Sequence, residues 1–332
     1  MAKSDCFVSV IAPLYNHSQI VEAFVDEVIQ VLRNNYTNYE LVLVDDVSED
    51  DTAQKAALLL KEYECIRLIE LSRHFGTEVA ISSGLDSVIG DFVVVMLPQS
   101  DPPGLIPRLI EQCRTGKDIL IGVRQNRRGE PFWMRAGANS FYWCCKRLFK
   151  IPLTKNATQF WVLSRQVVNA LVQVRDKYRY LRLLSAYVGY RSQTFIYEPI
   201  RRYRRVRAKS LIESINLGLQ IIFFNSANPL RLASLLSLFS SLLNLIYILY
   251  VALVYLFKER VVEGWVTLSI QNAFMFFFIS IILAILCEYI GLMFVKSRGW
   301  AAYYIAGEKN SSILIADKER RNIVNDSRNI KI

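Results

Sequence analysis

The sequence predicts an α/β domain on a mainly parallel sheet, followed by a juxtamembrane helix and two C-terminal transmembrane helices. Three observations predict this. Short apolar runs alternate with helix-period segments through the first 200 residues. Two long segments near the C-terminus carry no charged side chain. Lys and Arg crowd the flanks of those segments and are sparse between them.

The strand-like runs are Phe7–Ala12, Glu40–Val44, Ile66–Leu71, Phe92–Met96 and Asp118–Val123. Helical periodicity falls between them, near residues 18–34, 52–62, 76–88 and 104–114. Sheets of this kind bind ligands at the carboxyl ends of their strands, so the residues just after each strand carry the chemistry. Farther along, Leu232–Phe257 spans 26 uncharged residues and Trp265–Cys287 spans 23. Each exceeds the roughly 20 residues that cross a hydrocarbon core of about 30 Å. The connector Lys258–Gly264 is short, so the two spans form a hairpin with both flanks on one side. Upstream lie Arg201, Arg202, Arg204, Arg205, Arg207, Lys209 and Arg231; downstream lie Lys296, Arg298, Lys309, Lys318, Arg320 and Arg321. The positive-inside rule then places the N-terminal domain and the tail in the cytoplasm, on an inner or plasma membrane. Ser210–Ser226 is apolar with a minor polar face and reads as an interfacial helix on the inner leaflet. The predicted organisation is a domain over 1–200, a basic segment and interfacial helix over 201–228, a hairpin over 229–295 and a tail over 296–332.

Composition supports this division. Hydrophobic residues make up 52% of the 332, and net charge is +10. Mean hydropathy is +0.23 and the isoelectric point is near 9.3. These values exclude a disordered chain and point to a membrane, an anionic substrate, or both. Nucleic acid is disfavoured because the positive charge sits beside the apolar segments. Six cysteines without C-x-x-C spacing and only two histidines, His17 and His74, argue against a zinc site and for reduced cytosolic thiols. No signal peptide is read at the start, because the apolar stretch Phe7–Leu14 is short and runs into a turn.

The motifs follow the strands in order. They are Ala12-Pro13-Leu14-Tyr15-Asn16, Val44-Asp45-Asp46-Val47-Ser48 with Glu49-Asp50-Asp51-Thr52, and Ser72-Arg73-His74-Phe75-Gly76. Gly84-Leu85-Asp86, Gly90-Asp91, Asp101-Pro102-Pro103 and Gly122-Val123-Arg124-Gln125-Asn126-Arg127 come next. Taken together these resemble the family-2 glycosyltransferases of the GT-A fold, in the branch that moves a sugar from a nucleotide to a polyprenyl phosphate. The resemblance continues through Asn228-Pro229-Leu230-Arg231, Gly264-Trp265 and Cys287-Glu288-Tyr289-Ile290-Gly291. It implies nucleotide contact by Pro13, Tyr15, Asp45 and Asp46. It implies phosphate contact by Arg124, Arg127, Arg202 and Lys209, whose donors suit phosphate oxygens. It further implies a UDP- or GDP-linked sugar donor, a polyprenyl-phosphate acceptor, contact with membrane lipids, homo-oligomers and Mg²⁺ or Mn²⁺. The rival reading of the acidic loop is a helix cap, assigned to Asp50 or Asp51. His74, in a strand-to-helix turn, is read as structural.

Four departures from the family pattern fall on chemistry. The acids of the family's D-A-D-L-Q-D-P-P element hold a metal, but here the loop reads Met96-Leu97-Pro98-Gln99-Ser100-Asp101. Only Asp101 remains, with Gln99 as a neutral oxygen donor, which predicts poor affinity for a hard cation. The family's G-D-F-R carries the proposed base, but this chain has Thr158-Gln159-Phe160-Trp161, and an amide accepts no proton at neutral pH. The catalytic positions are thus Gln159 and Asp101. His17 replaces an acid, and Val206 a glycine, in an element that keeps Arg202 and Lys209. Two expectations stand. Either transfer persists, with Arg204, Arg205 and Arg207 supplying the missing positive charge, or the chain is an inactive membrane scaffold or regulatory subunit.

Overall fold

In the computed structural model the described residues are 3–124, 157–173, 189–200, 202, 264–297 and 303–313, with the single positions 147, 239, 242 and 246. The chain divides into two compact units. The first comprises Met1–Glu130, Leu153–Arg207 and Trp300–Ile332; the second comprises Pro131–Pro152 and Ala208–Gly299.

The first unit is an α/β domain. Its elements are β1 (Ser4–Leu14), α1 (Val21–Asn35), β2 (Tyr36–Asp45), α2 (Thr52–Glu62), β3 (Ile66–Leu71), α3 (Thr77–Ser87) and β4 (Phe92–Val95). They continue with α4 (Ile106–Arg114), β5 (Ile119–Arg124), β6 (Ala157–Ser164), α5 (Arg165–Gln173), β7 (Ser192–Tyr197) and, after the second unit, β8 (Ile305–Asn310). All five predicted strands and all four predicted helices are present. The eight strands lie in the order β7-β5-β6-β4-β1-β2-β3-β8. Only β6 and β8 run against the rest, so the sheet is mainly parallel as expected.

Two-sided burial explains the unbroken apolar strands. Val8, Val10, Ala12 and Leu14 face one core with α1, α2 and α4. Ile11, Val42, Val44 and Ile69 face the other with α3 and α5. Alternate residues therefore serve opposite layers, which requires apolar side chains at every position. α1 buries Val21, Phe24, Val25, Val28, Ile29 and Leu32, the stripe that a 3.6-residue period puts on one face. α3 lies so close to β1 that a Cβ on Gly84 would stand 2.5 Å from the Ile11 side chain. Glycine is required there by proximity.

The sequence reading did not identify β6, β7 or β8. β8 pairs antiparallel with β3, matching Arg67 with Asn310 and Leu71 with Ile305. Its residues fall within what the sequence suggested as a tail. The chain thus returns after the apolar segments to complete the same sheet.

In the second unit, α6 (Trp265–Ser297) is 33 residues long, which is about 50 Å of helix. By length and composition its Phe274–Gly291 stretch is long and apolar enough to cross a membrane. Phe274, Phe276, Phe277, Ile279, Leu283 and Ile290 are exposed around it. Exposed apolar side chains thus cover much of this helix, while Met275, Phe278, Ile282, Ile285 and Tyr289 are only partly exposed. Of the first predicted span, Phe239, Leu242 and Ile246 are described; they are helical and exposed. The predicted interfacial helix and the rest of that span lie outside the described residues.

Candidate functional site at the carboxyl edge of the sheet

The strand order reverses between β1 and β4, so a crevice opens at their carboxyl ends. The loops after β1 and β2 are braced against each other. Asn16 N–H donates to Ser48 Oγ at 3.1 Å, and Asn16 Oδ1 accepts from Glu49 N–H at 2.8 Å. His17 N–H donates to Thr52 Oγ1 at 2.7 Å. Asp50 accepts from Ser18 N–H at 3.1 Å and from Thr52 N–H at 3.0 Å. Of the two acids read as a cap, Asp50 therefore does that work at the start of α2. Val47 takes φ 59°, a left-handed conformation that is costly for a β-branched residue.

Three carboxylates singled out from the sequence are turned inward. Asp45 accepts from Ser48 N–H at 3.2 Å and from the Ser48 hydroxyl. Burial pushes its carboxyl above the usual range, and the two Ser48 bonds oppose that. Asp46 is 2% exposed. It accepts from Phe75 N–H and Gly76 N–H, each at 2.7 Å, which anchors the start of α3. Asp101, fully buried, accepts from Leu97 N–H at 2.7 Å, the Ser100 hydroxyl at 2.9 Å and the Tyr197 hydroxyl at 2.7 Å. Burial raises its pKa, and those donors partly restore the charged form. The proposed nucleotide acids and the surviving acid thus hold loops, because each loop exposes backbone donors that need a partner.

What faces outward is aromatic. Tyr15 is 38% exposed and its ring lies 4.2 Å from that of His74, tilted by 31°. His74 is 53% exposed, and its Nδ1 sits 2.9 Å from Asp46 Oδ2. That contact puts the proton of the neutral ring on Nδ1 and makes Nε2 the acceptor. His74, read from sequence as structural, is thus held by Asp46 and lies half-exposed beside Tyr15. Pro13, by contrast, is buried in β1 opposite Val44 and forms floor rather than face. His17 is neutral: burial lowers its pKa to about 4, with the Asp50 charge acting the other way.

The loop after β4 closes the far side. Arg202 donates to the carbonyls of Pro98 and Asp101 at 2.9 Å each, pairs with Glu27 and stacks over Phe24. The residue expected at phosphate is thus a clamp on this loop, and its guanidinium is taken up by protein acceptors. Arg124 is exposed at the end of β5, at the carboxyl edge of the sheet. Arg127, Arg204, Arg205 and Lys209 lie outside the described residues. Gln159, at the start of β6, donates from Nε2 to Glu78 Oε1 at 3.1 Å. Glu78 was not singled out from sequence, since it lies on the first turn of α3, beyond the strand ends that were read.

A divalent cation fits this loop poorly. Met96 and Leu97 are buried apolar residues, and both oxygens of Asp101 already accept bonds. Gln99 offers one amide oxygen, buried and without a hydrogen-bond partner. No group of three or more acids, histidines or cysteines suited to a metal occurs among the described residues. A hard cation takes several charged oxygens, which this donor set lacks.

Residues 9–173, which span β1 to α5, match the model of glycosyl transferase family 2. This chain carries a family 2 glycosyltransferase domain. An uncharacterised glycosyltransferase of Synechocystis is 29% identical to it over 300 residues, covering 90% of this chain and 94% of its own. The bactoprenol glucosyl transferase of Shigella phage SfV is 25% identical over 303 residues, covering 91% and 99%. The solved structure of glucosyl-3-phosphoglycerate synthase from Mycobacterium tuberculosis is more distant, at 17% identity and TM-score 0.48 over 66% of this chain and 78% of that one.

Proposed function

We propose that this protein is a membrane-anchored transferase that moves a sugar from a UDP- or GDP-linked donor to a polyprenyl phosphate. The observation that carries the reading is the 303-residue likeness to a bactoprenol glucosyl transferase, which runs through both the sheet domain and the α6 region. The reaction is a single displacement: a phosphate oxygen of the lipid attacks the anomeric carbon and the nucleoside diphosphate leaves. Tyr15 and His74 form the platform for the base, and Arg124 meets the diphosphate. Homo-oligomer contacts through the membrane region belong to the same reading.

Topology supports the anchor. β1–β7 precede the apolar segments and β8 follows them, yet all belong to one sheet. Both flanks therefore lie on one side, so the number of crossings between them is even. α6 supplies one crossing and Leu232–Phe257 the other, with the basic flanks in the cytoplasm. A second reading, a non-catalytic membrane subunit, is favoured by the apolar Met96 and Leu97 in the loop after β4.

Calorimetry on detergent-purified protein with UDP, GDP and their sugar conjugates, each with and without Mg²⁺, tests the donor site. Transfer of labelled sugar to undecaprenyl phosphate tests the reaction. One nucleotide is expected to bind, with Tyr15→Ala and His74→Ala each weakening it about tenfold, the worth of a stacking contact. Binding without transfer supports the second reading, and binding of none of them removes the donor site.

A further inference from the structure

The crevice holds one carboxylate–amide pair that the donor platform does not use. Gln159 at the start of β6 and Glu78 on the first turn of α3 meet at 3.1 Å, across 81 residues of sequence. β6 pairs antiparallel with β4, with Trp161 opposite Val95, so Gln159 stands at the carboxyl end of β4. α3 begins at Thr77, directly after the Phe75 and Gly76 amides that Asp46 holds. Glu78 therefore joins the start of α3 to the exit of β4, at the carboxyl edge of the sheet. Asp45, Asp46 and Asp101 each spend their oxygens on loop donors. Glu78 is instead engaged by a side-chain amide reaching over from another strand.

Resting on the transferase reading above, we propose that Glu78 is the proton acceptor for the lipid phosphate and that Gln159 is its positioning residue. The chemistry balances. A phosphate monoester carries a P–O–H proton part of the time near neutral pH. That proton passes to the Glu78 carboxylate as the phosphate oxygen bonds to the anomeric carbon. The bond from that carbon to the diphosphate breaks, and its electron pair leaves with the nucleoside diphosphate. Glu78 then returns the proton to solvent. Gln159 does not titrate; its N–H fixes the orientation of the carboxylate. An acid at position 159 would set two carboxylates side by side, and one of the pair would hold a proton to higher pH. The other charged or titratable groups at this edge include Asp45, Asp46, Asp50, Arg73, His74, Asp101, Arg124 and Arg202, whereas Glu40, Asp86 and Arg165 lie toward the opposite edge.

The test uses the full chain in detergent, undecaprenyl phosphate as acceptor, and UDP-glucose and GDP-mannose as donors. Glu78→Gln is expected to lower kcat by about 100-fold or more, the usual loss for a positioned base. KM for the donor and its calorimetric affinity are expected to change by less than about threefold, a margin small beside the loss in kcat. The acid limb of the pH–kcat profile should flatten. Gln159→Asp should move that limb to higher pH, a shift that a merely structural role does not produce. Glu78→Gln with kcat near wild type, or with reduced kcat and an unchanged acid limb, overturns the inference. If Glu78→Gln no longer binds donor, Glu78→Asp decides: a retained acid limb supports the role, and its loss overturns it. A wild-type chain that binds nucleotide but makes no glycosyl lipid overturns the transferase reading, and this inference with it.

Discussion

The two edges of the sheet use their charges in opposite ways. At the amino edge, Arg67 links three elements. It donates to Glu40 at 3.2 Å, to the Ser87 carbonyl at 2.7 Å and to Glu308 of β8 at 2.7 Å. Glu40 also accepts from the Ser9 hydroxyl and from Ile89 N–H. Nearby, Arg165 donates to the carbonyls of Val88 and Gly90. Every charge in that set is matched by an opposite charge or by backbone. At the carboxyl edge the acids also bond inward, but to loop amides, and they leave an aromatic pair at the surface and a part-buried carboxylate–amide pair. The same residue types thus lock one edge and shape the other. The difference lies in whether the partner is a side-chain cation or an open turn.

Several measurements would break or sharpen that contrast, and the largest effect belongs to the amino edge. Arg67→Ala leaves Glu40 buried without its cation, which costs about 3–5 kcal/mol. Scanning fluorimetry should show a large drop in the unfolding midpoint, while nucleotide affinity of the folded fraction stays at the wild-type value. A comparable loss of affinity would mean that the two edges are not separate.

At the carboxyl edge, Asp46→Ala removes the acceptor for two backbone amides and the partner of His74. We expect a loss of about 2–3 kcal/mol, the scale of hydrogen bonds to a charged group. Here nucleotide binding should weaken too, because the platform loses its support. A stability loss with unchanged affinity would disconnect Asp46 from the ligand face.

His17 gives a pH signature for the bracing between the loops. Its pKa falls from 6.5 to about 4 on folding, so the unfolded chain binds more protons between those values. Stability should therefore rise with pH across that window, be fully present above 6.5, and be lost as pH falls toward 4. At about 1.4 kcal/mol per pH unit over that window the effect has a ceiling of about 3.5 kcal/mol. Denaturant midpoints between pH 4 and 7 measure it, and His17→Asn should flatten that stretch of the curve.

The smallest expected effect tests strain. Val47 sits at φ 59° in the loop after β2. Val47→Gly should stabilise the domain by about 1 kcal/mol, since glycine takes that conformation freely but gives up more chain entropy. A destabilised variant would show that the Val47 side chain contributes packing that outweighs its backbone cost.

Much of this molecule is legible in its residue order. Short apolar runs locate β1–β5 and period-3.6 patterns locate α1–α4, because the strands bury both faces and each helix buries one, and those patterns are local. The length and neutrality of Trp265–Cys287 likewise mark α6. The motif positions after the strands fall at the carboxyl edge of the sheet. β8, with its Gly-Glu-Lys-Asn run, has no such pattern, because it lies at the edge of the sheet and is held by Arg67 and Glu70 side chains rather than by a buried face.

Only the tertiary structure decided which groups at the site are spent and which are presented. Asp45, Asp46 and Arg202 read from sequence as ligand contacts, and each is consumed by a neighbouring loop. His74 and Glu78 carried no such reading, and the fold brings one to Tyr15 and the other to Gln159. The physical reason is that a side chain's type is local, whereas its partner is set by strand order. Gln159 and Glu78 are 81 residues apart, and Arg67 and Glu308 are 241 apart; each pair meets only because the sheet places their elements together.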